Sequence, residues 1–202
     1  MIKLYDYPKC PFCRKVRVAL AEKGIQYGRV FVDLGKREQK KEEFLKLNPY
    51  GKVPVLIDNG AVIYESSVIN EYLDEKYPKP PLMPSDSTGR ARVRIWVDFC
   101  ESHFHTPWFN IYRETTFRPE NERNRELIER SKNEIKEHLS RLNRELEGHE
   151  YLSGSYSLAD IAFTPRIALF DLLGIGIDSE FENVRDWVER IKSRPSYKAL
   201  EL

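Results

Sequence analysis

Short apolar stretches separated by turn-forming residues occupy the first 77 residues, which is typical of β-strands. One stretch alternates polar and apolar positions, and another is a continuous apolar run that ends at the hairpin turn Asp58-Asn59-Gly60. The four predicted strands are residues 2–5, 27–32, 53–57 and 61–64.

Segments with helical periodicity lie between these strands. Apolar residues recur at helical spacing from Phe12 to Leu20, and Gly24 ends that run. A polar helix is predicted near residues 38–47 and a final helix at 66–77. The order βαβ, then α, then ββα predicts a thioredoxin-like α/β domain, with helices packed on a mixed sheet.

The rest of the chain reads as helix almost throughout. Four of the twelve prolines fall within residues 78–84, and helix or strand interiors do not tolerate that density. The predicted helices are 90–112, which Pro107 interrupts, 120–147, and the largely apolar 158–173, which Ser157 and Asp160 cap. We therefore predict a first domain at 1–77, a linker at 78–88 and an all-helical domain at 89–202.

Charge and cysteine content narrow the classes of function. Lys and Arg number 33 and Asp and Glu 32, and the resulting net charge of +1 argues against non-specific binding of nucleic acid or an acidic membrane. We expect no membrane span, and the first residues do not have the pattern of a signal peptide. Three cysteines are too few for a disulfide framework, so we expect a reducing cytoplasm.

The candidate chemistry lies in Cys10-Pro-Phe-Cys13, where the first strand gives way to the first helix. The unpaired N–H groups of a first helical turn favour a thiolate, and Pro11 suits the first helical position. Lowering a thiol pKa from about 8.5 to about 5 needs roughly 5 kcal/mol. The helix dipole supplies about 2 kcal/mol at most, so we expect direct N–H bonds and the cations Lys9 and Arg14 to supply the rest.

These residues predict Cys10 as the nucleophile and Cys13 as the resolving thiol. Three other interpretations remain open: half of a zinc site, an iron–sulfur cluster shared between two chains, or two unreactive thiols. Cys100 is expected to be a small buried residue, and we expect no metal.

Four motifs together resemble the glutathione transferase superfamily, over essentially the whole chain. They are Cys10-Pro-Phe-Cys13, Asn48-Pro-Tyr-Gly-Lys-Val-Pro54, Tyr64-Glu-Ser-Ser-Val-Ile69 and Ser157-Leu-Ala-Asp-Ile161. The first is most similar to the cysteine-type members, which include omega-like transferases and two-domain glutaredoxins. The resemblance implies the two-domain glutathione transferase fold, glutathione as cosubstrate and a homodimer.

The resemblance also implies a glutathione-binding site. The Val53 backbone next to a cis Pro54 would pair with the cysteinyl part, Glu65 with the γ-glutamyl ammonium, and Ser66 with its carboxylate. Ordinary capping of a helix remains an alternative for Ser66. The cation for the glycyl carboxylate is expected to be Lys40, with Lys36 and Arg37 as competitors, and Phe12 is also placed at this site.

A second-substrate pocket is implied on the long helix of the second domain. Its expected lining is Phe104, Trp108 and Tyr112, spaced four apart on one face. A core or dimer-contact stripe is the alternative for these three aromatic residues.

A cysteine in the place where most transferases carry Tyr or Ser favours thiol–disulfide exchange, that is, thiol transfer, deglutathionylation or dehydroascorbate reduction. A conjugating glutathione transferase is one alternative. The other is a factor that binds RNA polymerase and is not an enzyme, because residues such as Leu20-Ala-Glu-Lys-Gly24 and Pro80-Pro-Leu-Met-Pro84 also resemble stringent starvation protein A.

Overall fold

A computed structural model describes residues 1–201 of the chain, which form two compact units. The first comprises Met1–Leu82 and the chain from Pro195, and the second is Met83–Arg194. The division falls inside the segment that we predicted as a linker. The last residues, which we had assigned to the helical domain, instead pack with the first unit, where the 3-10 segment Pro195–Leu200 contacts the first helix. Within residues 1–201, no helix is long and apolar enough to cross a membrane.

The first unit is built on a four-stranded mixed sheet, as predicted. Its strands are β1 (Ile2–Asp6), β2 (Gly28–Phe31), β3 (Val55–Asp58) and β4 (Ala61–Tyr64), in the spatial order β2-β1-β3-β4. β1 and β2 run parallel, whereas β3 runs antiparallel to both β1 and β4. β1 and β2 are connected through a helix, as a parallel pair requires. β3 and β4 are connected through a tight hairpin, which an antiparallel pair allows.

Three helices belong to this unit: α1 (Pro11–Glu22), α2 (Glu42–Leu45) and α3 (Ser66–Lys76). Apolar residues of α1 and α3 pack on the sheet and form one core cluster. Its buried members are Ile2, Leu4, Val16, Leu20, Leu56, Ile69 and Leu73. Alternate residues of β1 and the apolar stripe of α1 thus meet as the sequence pattern predicted.

The predicted polar helix at 38–47 is wrong in extent. The chain forms a 3-10 turn, Glu38–Lys40, followed by the four-residue α2, and Lys41 between them is extended. Phe44 is the only fully buried side chain in residues 36–47. One buried residue cannot hold a long helix against the sheet, because packing of an apolar face supplies most helical stability in proteins.

The charged positions that lie between the apolar residues of α1 are buried. Arg14, Lys15 and Arg17 are 6%, 1% and 1% exposed. The 3-10 segment at the end of the chain contacts this helix, and these side chains bond to carbonyl and hydroxyl groups inside the unit. Periodicity alone could not reveal this, because the covering segment lies far away in sequence.

The second unit is helical, as predicted. Its α-helices are α4 (Ser87–Asp98), α5 (His105–Phe117), α6 (Arg125–Glu145), α7 (Leu158–Ile167), α8 (Phe170–Leu173) and α9 (Glu182–Ser193). A π-helical turn, Phe99–Phe104, separates α4 from α5. Pro107 follows closely and lacks the N–H that the carbonyl of His103 would accept, so the interruption predicted in the 90–112 helix takes the form of this π-helical turn, through which the backbone stays helical. The predicted 158–173 helix likewise divides into α7 and α8.

The capping box of α7 is confirmed. The Ser157 backbone N–H donates to Asp160 Oδ2 at 2.9 Å, and the Ala159 N–H donates to Ser157 Oγ at 3.3 Å. We expect Ser157→Ala to lower the free energy of unfolding by about 1 kcal/mol, because one orphan N–H of the first turn loses its acceptor. Urea denaturation measures this loss, and an unchanged midpoint would contradict the capping role.

Candidate active site

The pairing of the strands brings three of the four motifs to one end of the sheet, while the fourth, Ser157 to Ile161, lies in the second unit. Tyr5 of β1 pairs with Val55 of β3, which pairs with Tyr64 of β4. Because β3 is antiparallel to β1 and β4, the last residues of β1 and β4 lie at the same edge of the sheet as the first residue of β3. Cys10 follows β1 and Glu65 follows β4 at this edge. Segments that are far apart in sequence therefore meet at this edge.

Cys10 occupies the N-cap of α1, as the sequence predicted, and it is partly exposed. A turn presents it: the Cys10 N–H donates to the Tyr7 carbonyl at 3.0 Å, with Pro8 and Lys9 in the centre of the turn. Pro11 is the first residue of the helix, where its missing N–H costs nothing. The thiol thus lies at the positive end of the helix dipole.

The surroundings of Cys10 lower the pKa of its thiol. The largest cause is a hydrogen bond from the Cys13 thiol, with smaller contributions from the backbone N–H groups of Cys13 and Phe12. Burial and the charge of Asp6 oppose this shift. The cations that the sequence suggested, Lys9 and Arg14, are not among the main causes. The hydrogen bond from Cys13, rather than these cations, is the main cause of the lowered pKa.

Cys13 has the opposite character. It is fully buried, and burial together with the neighbouring Cys10 sulfur raises the pKa of its thiol well above the ordinary range. Cys13 therefore stays protonated next to a more acidic Cys10. The pair combines a partly exposed thiol of lowered pKa with an internal hydrogen-bond donor.

Val53 lies in the same apolar cluster as the two cysteines, together with Val32, Phe44 and Val55. The Val53–Pro54 peptide bond is cis. The turn before it is held by Asn48, whose side-chain amide donates to the Lys52 carbonyl at 2.7 Å and whose Oδ1 accepts the Tyr50 N–H at 3.0 Å. Asn48 is buried, so this loop has a defined conformation next to Cys10 and Cys13.

Lys40 is the predicted cation that reaches this loop. Its Nζ donates to the Tyr50 carbonyl at 3.0 Å and lies against Gly51. The Lys36 side chain is 78% exposed and pairs with Asp33, while Arg37 adopts a left-handed conformation ahead of the 3-10 turn. Of the three cations, Lys40 is thus the one that contacts this loop, and its role toward the glycyl carboxylate stays a prediction.

Glu65 and Ser66 begin α3, but not as an ordinary cap. The N-cap is Glu65, with a φ of 67°, and its side chain makes no capping hydrogen bond. The alternative in which Ser66 caps this helix is therefore wrong. Lys15, which the sequence did not single out, donates to Ser67 Oγ at 2.9 Å and places a buried cation against the first turn of α3. The first turn of α3 thus has N–H groups and a nearby cation, which both favour an anion.

The three aromatic residues of the predicted second-substrate pocket are buried in the helical unit. Trp108 donates to the Arg166 carbonyl at 3.1 Å and stacks on Tyr112 at 5.1 Å between ring centroids, while Phe104 packs on Phe163 at 5.2 Å. These contacts agree with the core stripe that the sequence left as an alternative, and the pocket stays a prediction. Cys100 is buried and donates to the Ala162 carbonyl at 3.3 Å, as a small core residue does.

Arg17 is a residue near the site that the sequence analysis missed. Its guanidinium lies between the Asp6 carboxylate, the Pro8 carbonyl and Glu201. Nothing in the local pattern distinguished it from solvated charges, because its partners come from both ends of the chain. It connects the turn that carries Cys10 to the C-terminal segment.

Comparison of the sequence with known protein families identifies two matching domains. Residues 4–81 match the family profile "Glutathione S-transferase, N-terminal domain", and residues 101–195 match "Glutathione S-transferase, C-terminal domain". The chain is similar to glutathione S-transferase F10 of Arabidopsis thaliana, with 33% identity over 92% of this chain and 89% of the relative. It is also similar to the stringent starvation protein A homolog of Histophilus somni, with 31% identity over 92% and 83%.

Solved structures extend the similarity to three dimensions. A glutathione transferase from Burkholderia graminis, with two glutathione molecules bound per subunit, has a TM-score of 0.85. It shares 29% sequence identity and covers 99% of this chain, which in turn covers 87% of it. The fold, both family profiles and these relatives show that the chain belongs to the glutathione S-transferase family.

Proposed function

We propose that this protein catalyses glutathione-dependent thiol–disulfide exchange, with Cys10 as nucleophile and Cys13 as its partner. The observation that carries the proposal is a partly exposed thiol of lowered pKa at a helix N-terminus, with a protonated thiol donating to it. A protein thiolate in this place attacks disulfides and forms a mixed disulfide.

The proposed reaction balances in two steps. The Cys10 thiolate attacks the glutathione sulfur of a mixed disulfide, so that a Cys10–glutathione disulfide forms and the substrate leaves as a thiolate. Glutathione then attacks that disulfide, releases oxidised glutathione and restores the Cys10 thiolate. Alternatively, Cys13 loses its proton and attacks the Cys10 sulfur, glutathione leaves, and two further glutathione molecules reduce the internal disulfide. The raised pKa of Cys13 favours the first route.

Glutathione is proposed to lie along the shared edge of the sheet. The Val53 backbone would pair with its cysteinyl unit, Glu65 and Ser66 with its γ-glutamyl end, and Lys40 with its glycyl carboxylate, with Phe12 next to the thiol. The relative with glutathione bound supports glutathione as the ligand. The γ-glutamyl ammonium would face the acidic Glu65 and the glycyl carboxylate would face the basic Lys40, and this difference would fix the direction of the tripeptide.

Gly51→Ala tests the part of this site that Lys40 occupies. A Cβ at Gly51 would lie 2.7 Å from the Gln39 carbonyl oxygen and 2.8 Å from Lys40 Nζ, so the segment that carries Lys40 must shift together with the lysine side chain. We expect the Kd of glutathione to rise about tenfold, since one charge-assisted hydrogen bond is lost. Isothermal titration calorimetry measures this constant.

Gly24→Ala is the matched control. Gly24 has a φ of +63°, against +59° at Gly51, and an added Cβ there meets nothing within 4 Å. Both variants therefore carry the backbone strain of a left-handed alanine, but only one displaces Lys40. Equal affinities in the two variants would remove Lys40 from the glutathione site.

Two assays on the same preparation separate exchange from conjugation. Turnover of a glutathione mixed disulfide is coupled to glutathione reductase, and addition of glutathione to an aryl halide is followed by absorbance. The proposal predicts turnover in the first assay and little in the second. The opposite result would make the protein a conjugating transferase, with Cys10 only next to the glutathione thiol.

The second candidate function is a non-enzymatic factor bound to RNA polymerase. Its support is the similarity to a stringent starvation protein A homolog over 92% of this chain. Retention on immobilised glutathione distinguishes the two, because the enzyme is expected to be retained. A protein that passes through and instead binds purified RNA polymerase would support the second function.

We further propose a homodimer in a reducing cytoplasm, on the strength of the family resemblance and the cysteine count. Sedimentation equilibrium tests the dimer directly. A single species of monomer mass at micromolar concentration would argue against it.

A further inference from the structure

Arg17 links the active-site turn to the end of the chain. One terminal nitrogen, Nη2, donates to the Pro8 carbonyl at 2.9 Å and to the Leu200 carbonyl at 3.3 Å. The other, Nη1, donates to the Glu201 carboxylate at 3.0 Å. The Arg17 side chain is 1% exposed, so its bonds to the two carbonyls are shielded from solvent and costly to lose, whereas the Glu201 carboxylate is 54% exposed.

The Pro8 carbonyl belongs to the central peptide of the turn that carries Cys10. The turn spans Tyr7 to Cys10 and is closed by the Cys10 N–H to Tyr7 carbonyl bond. Arg14 donates to the same Pro8 carbonyl through Nε at 3.0 Å. Two guanidinium groups therefore fix the orientation of this peptide, and with it the position of Cys10 relative to the first turn of α1.

We propose that Arg17 is a positioning residue for Cys10: by holding the Pro8 carbonyl against the C-terminal segment, it keeps the thiol in line with the N–H groups of α1. The catalytic importance of this position rests on the proposed function. Glu201, which also accepts from Arg29 at 2.6 Å, holds Arg17 on the side away from the turn.

The groups around Arg17 make it possible to distinguish an effect on the position of Cys10 from an effect of charge on its thiol. Asp6 approaches Arg17 Nε at 3.6 Å and Arg29 at 2.9 Å, and its charge opposes formation of the Cys10 thiolate. Tyr27 is the remaining titratable neighbour, and both arginines act on it. Arg29 thus shares Asp6 and Glu201 with Arg17, but no hydrogen bond among residues 1–201 joins it to Pro8.

The test is the pH dependence of Cys10 alkylation by iodoacetamide, followed by mass spectrometry of the Cys10 peptide in wild type, Arg17→Lys and Arg29→Gln. Arg17→Lys keeps the charge but cannot hold two partners in a planar fork. We expect its titration midpoint to move upward by about half a unit while Arg14 still holds Pro8, so that the alkylation rate at pH values below the midpoint falls about threefold. Arg29→Gln, which removes a charge but no contact to Pro8, is expected to move the midpoint less than half as far.

Two results would overturn the proposal. One is a Cys10 titration midpoint in Arg17→Lys that equals the wild-type value. The other is a midpoint that moves as far in Arg29→Gln as in Arg17→Lys, which would attribute the effect to charge alone. If Arg17→Lys does not fold, Glu201→Ala decides, because alanine removes the acceptor of Arg17 Nη1. The Glu201 side chain is 54% exposed, so the fold tolerates the change. Loss of a negative charge by itself lowers a thiol pKa, whereas loosening of Arg17 raises it, so a midpoint that stays or falls contradicts positioning. Alkylation needs no glutathione, and failure of the proposed enzyme activity is therefore a separate result.

Discussion

Cys10→Ser is expected to lose turnover of a glutathione mixed disulfide by about a thousandfold or more, down to the uncatalysed rate. A serine hydroxyl is not ionised at neutral pH and forms no stable bond with a disulfide sulfur. The backbone N–H groups and the Cys13 thiol that favour a thiolate at this position cannot compensate for this loss. Glutathione affinity is expected to change little, because the proposed binding contacts come from Lys40, Val53, Glu65 and Ser66.

Cys100→Ser is the matched control, since it makes the same chemical change in the helical unit. Cys100 is buried and bonded to the Ala162 carbonyl, so its loss should affect stability but not the rate of the folded enzyme. The steady-state assay coupled to glutathione reductase measures both variants. Wild-type turnover by Cys10→Ser would exclude Cys10 as the nucleophile.

Asp160→Ala is expected to be the most destabilising single change in the helical unit, by about 4 kcal/mol. The carboxylate is completely buried and accepts from the Leu152 N–H at 3.1 Å, the Trp187 indole at 2.9 Å and the Ser157 N–H at 2.9 Å. Alanine leaves these donors without an acceptor, and each unsatisfied buried group costs about 1–3 kcal/mol. Thermal and urea denaturation measure the loss.

Asp171→Ala controls for the substitution itself. Asp171 belongs to α8 of the same unit, but its side chain is 97% exposed and its ion pair with Lys192 spans 4.0 Å. We expect a change within about 0.5 kcal/mol, as for most surface positions. Similar losses in the two variants would mean that Asp160 contributes no more than a surface carboxylate.

Local signals were sufficient to predict most of the fold. The strand and helix order of the first unit followed from periodicity and turn residues, and the cap of α7 followed from the spacing of Ser157 and Asp160. Breaks inside helices were predicted less well. Pro107 indicated that the long helix is interrupted, but only the structure shows that the interruption is a π-helical turn ahead of it.

The motif residues of the candidate site could be predicted from the sequence, because each lies at the end of a strand or the start of a helix. The causes of their chemistry depend on tertiary contacts. The sequence suggested that cations lower the pKa of Cys10, whereas the chief cause is the Cys13 thiol. Arg17 could not be found because its partners lie at both ends of the chain.

Intact-mass analysis of Cys13→Ser after incubation with oxidised glutathione tests the central claim most directly. Attack by Cys10 forms a mixed disulfide, which this variant cannot convert to an internal disulfide. The proposed function predicts one glutathione adduct per chain, located at Cys10 by peptide mapping and reversed by excess glutathione. Absence of the adduct, or its location at Cys100, would contradict Cys10 as a glutathione-directed nucleophile.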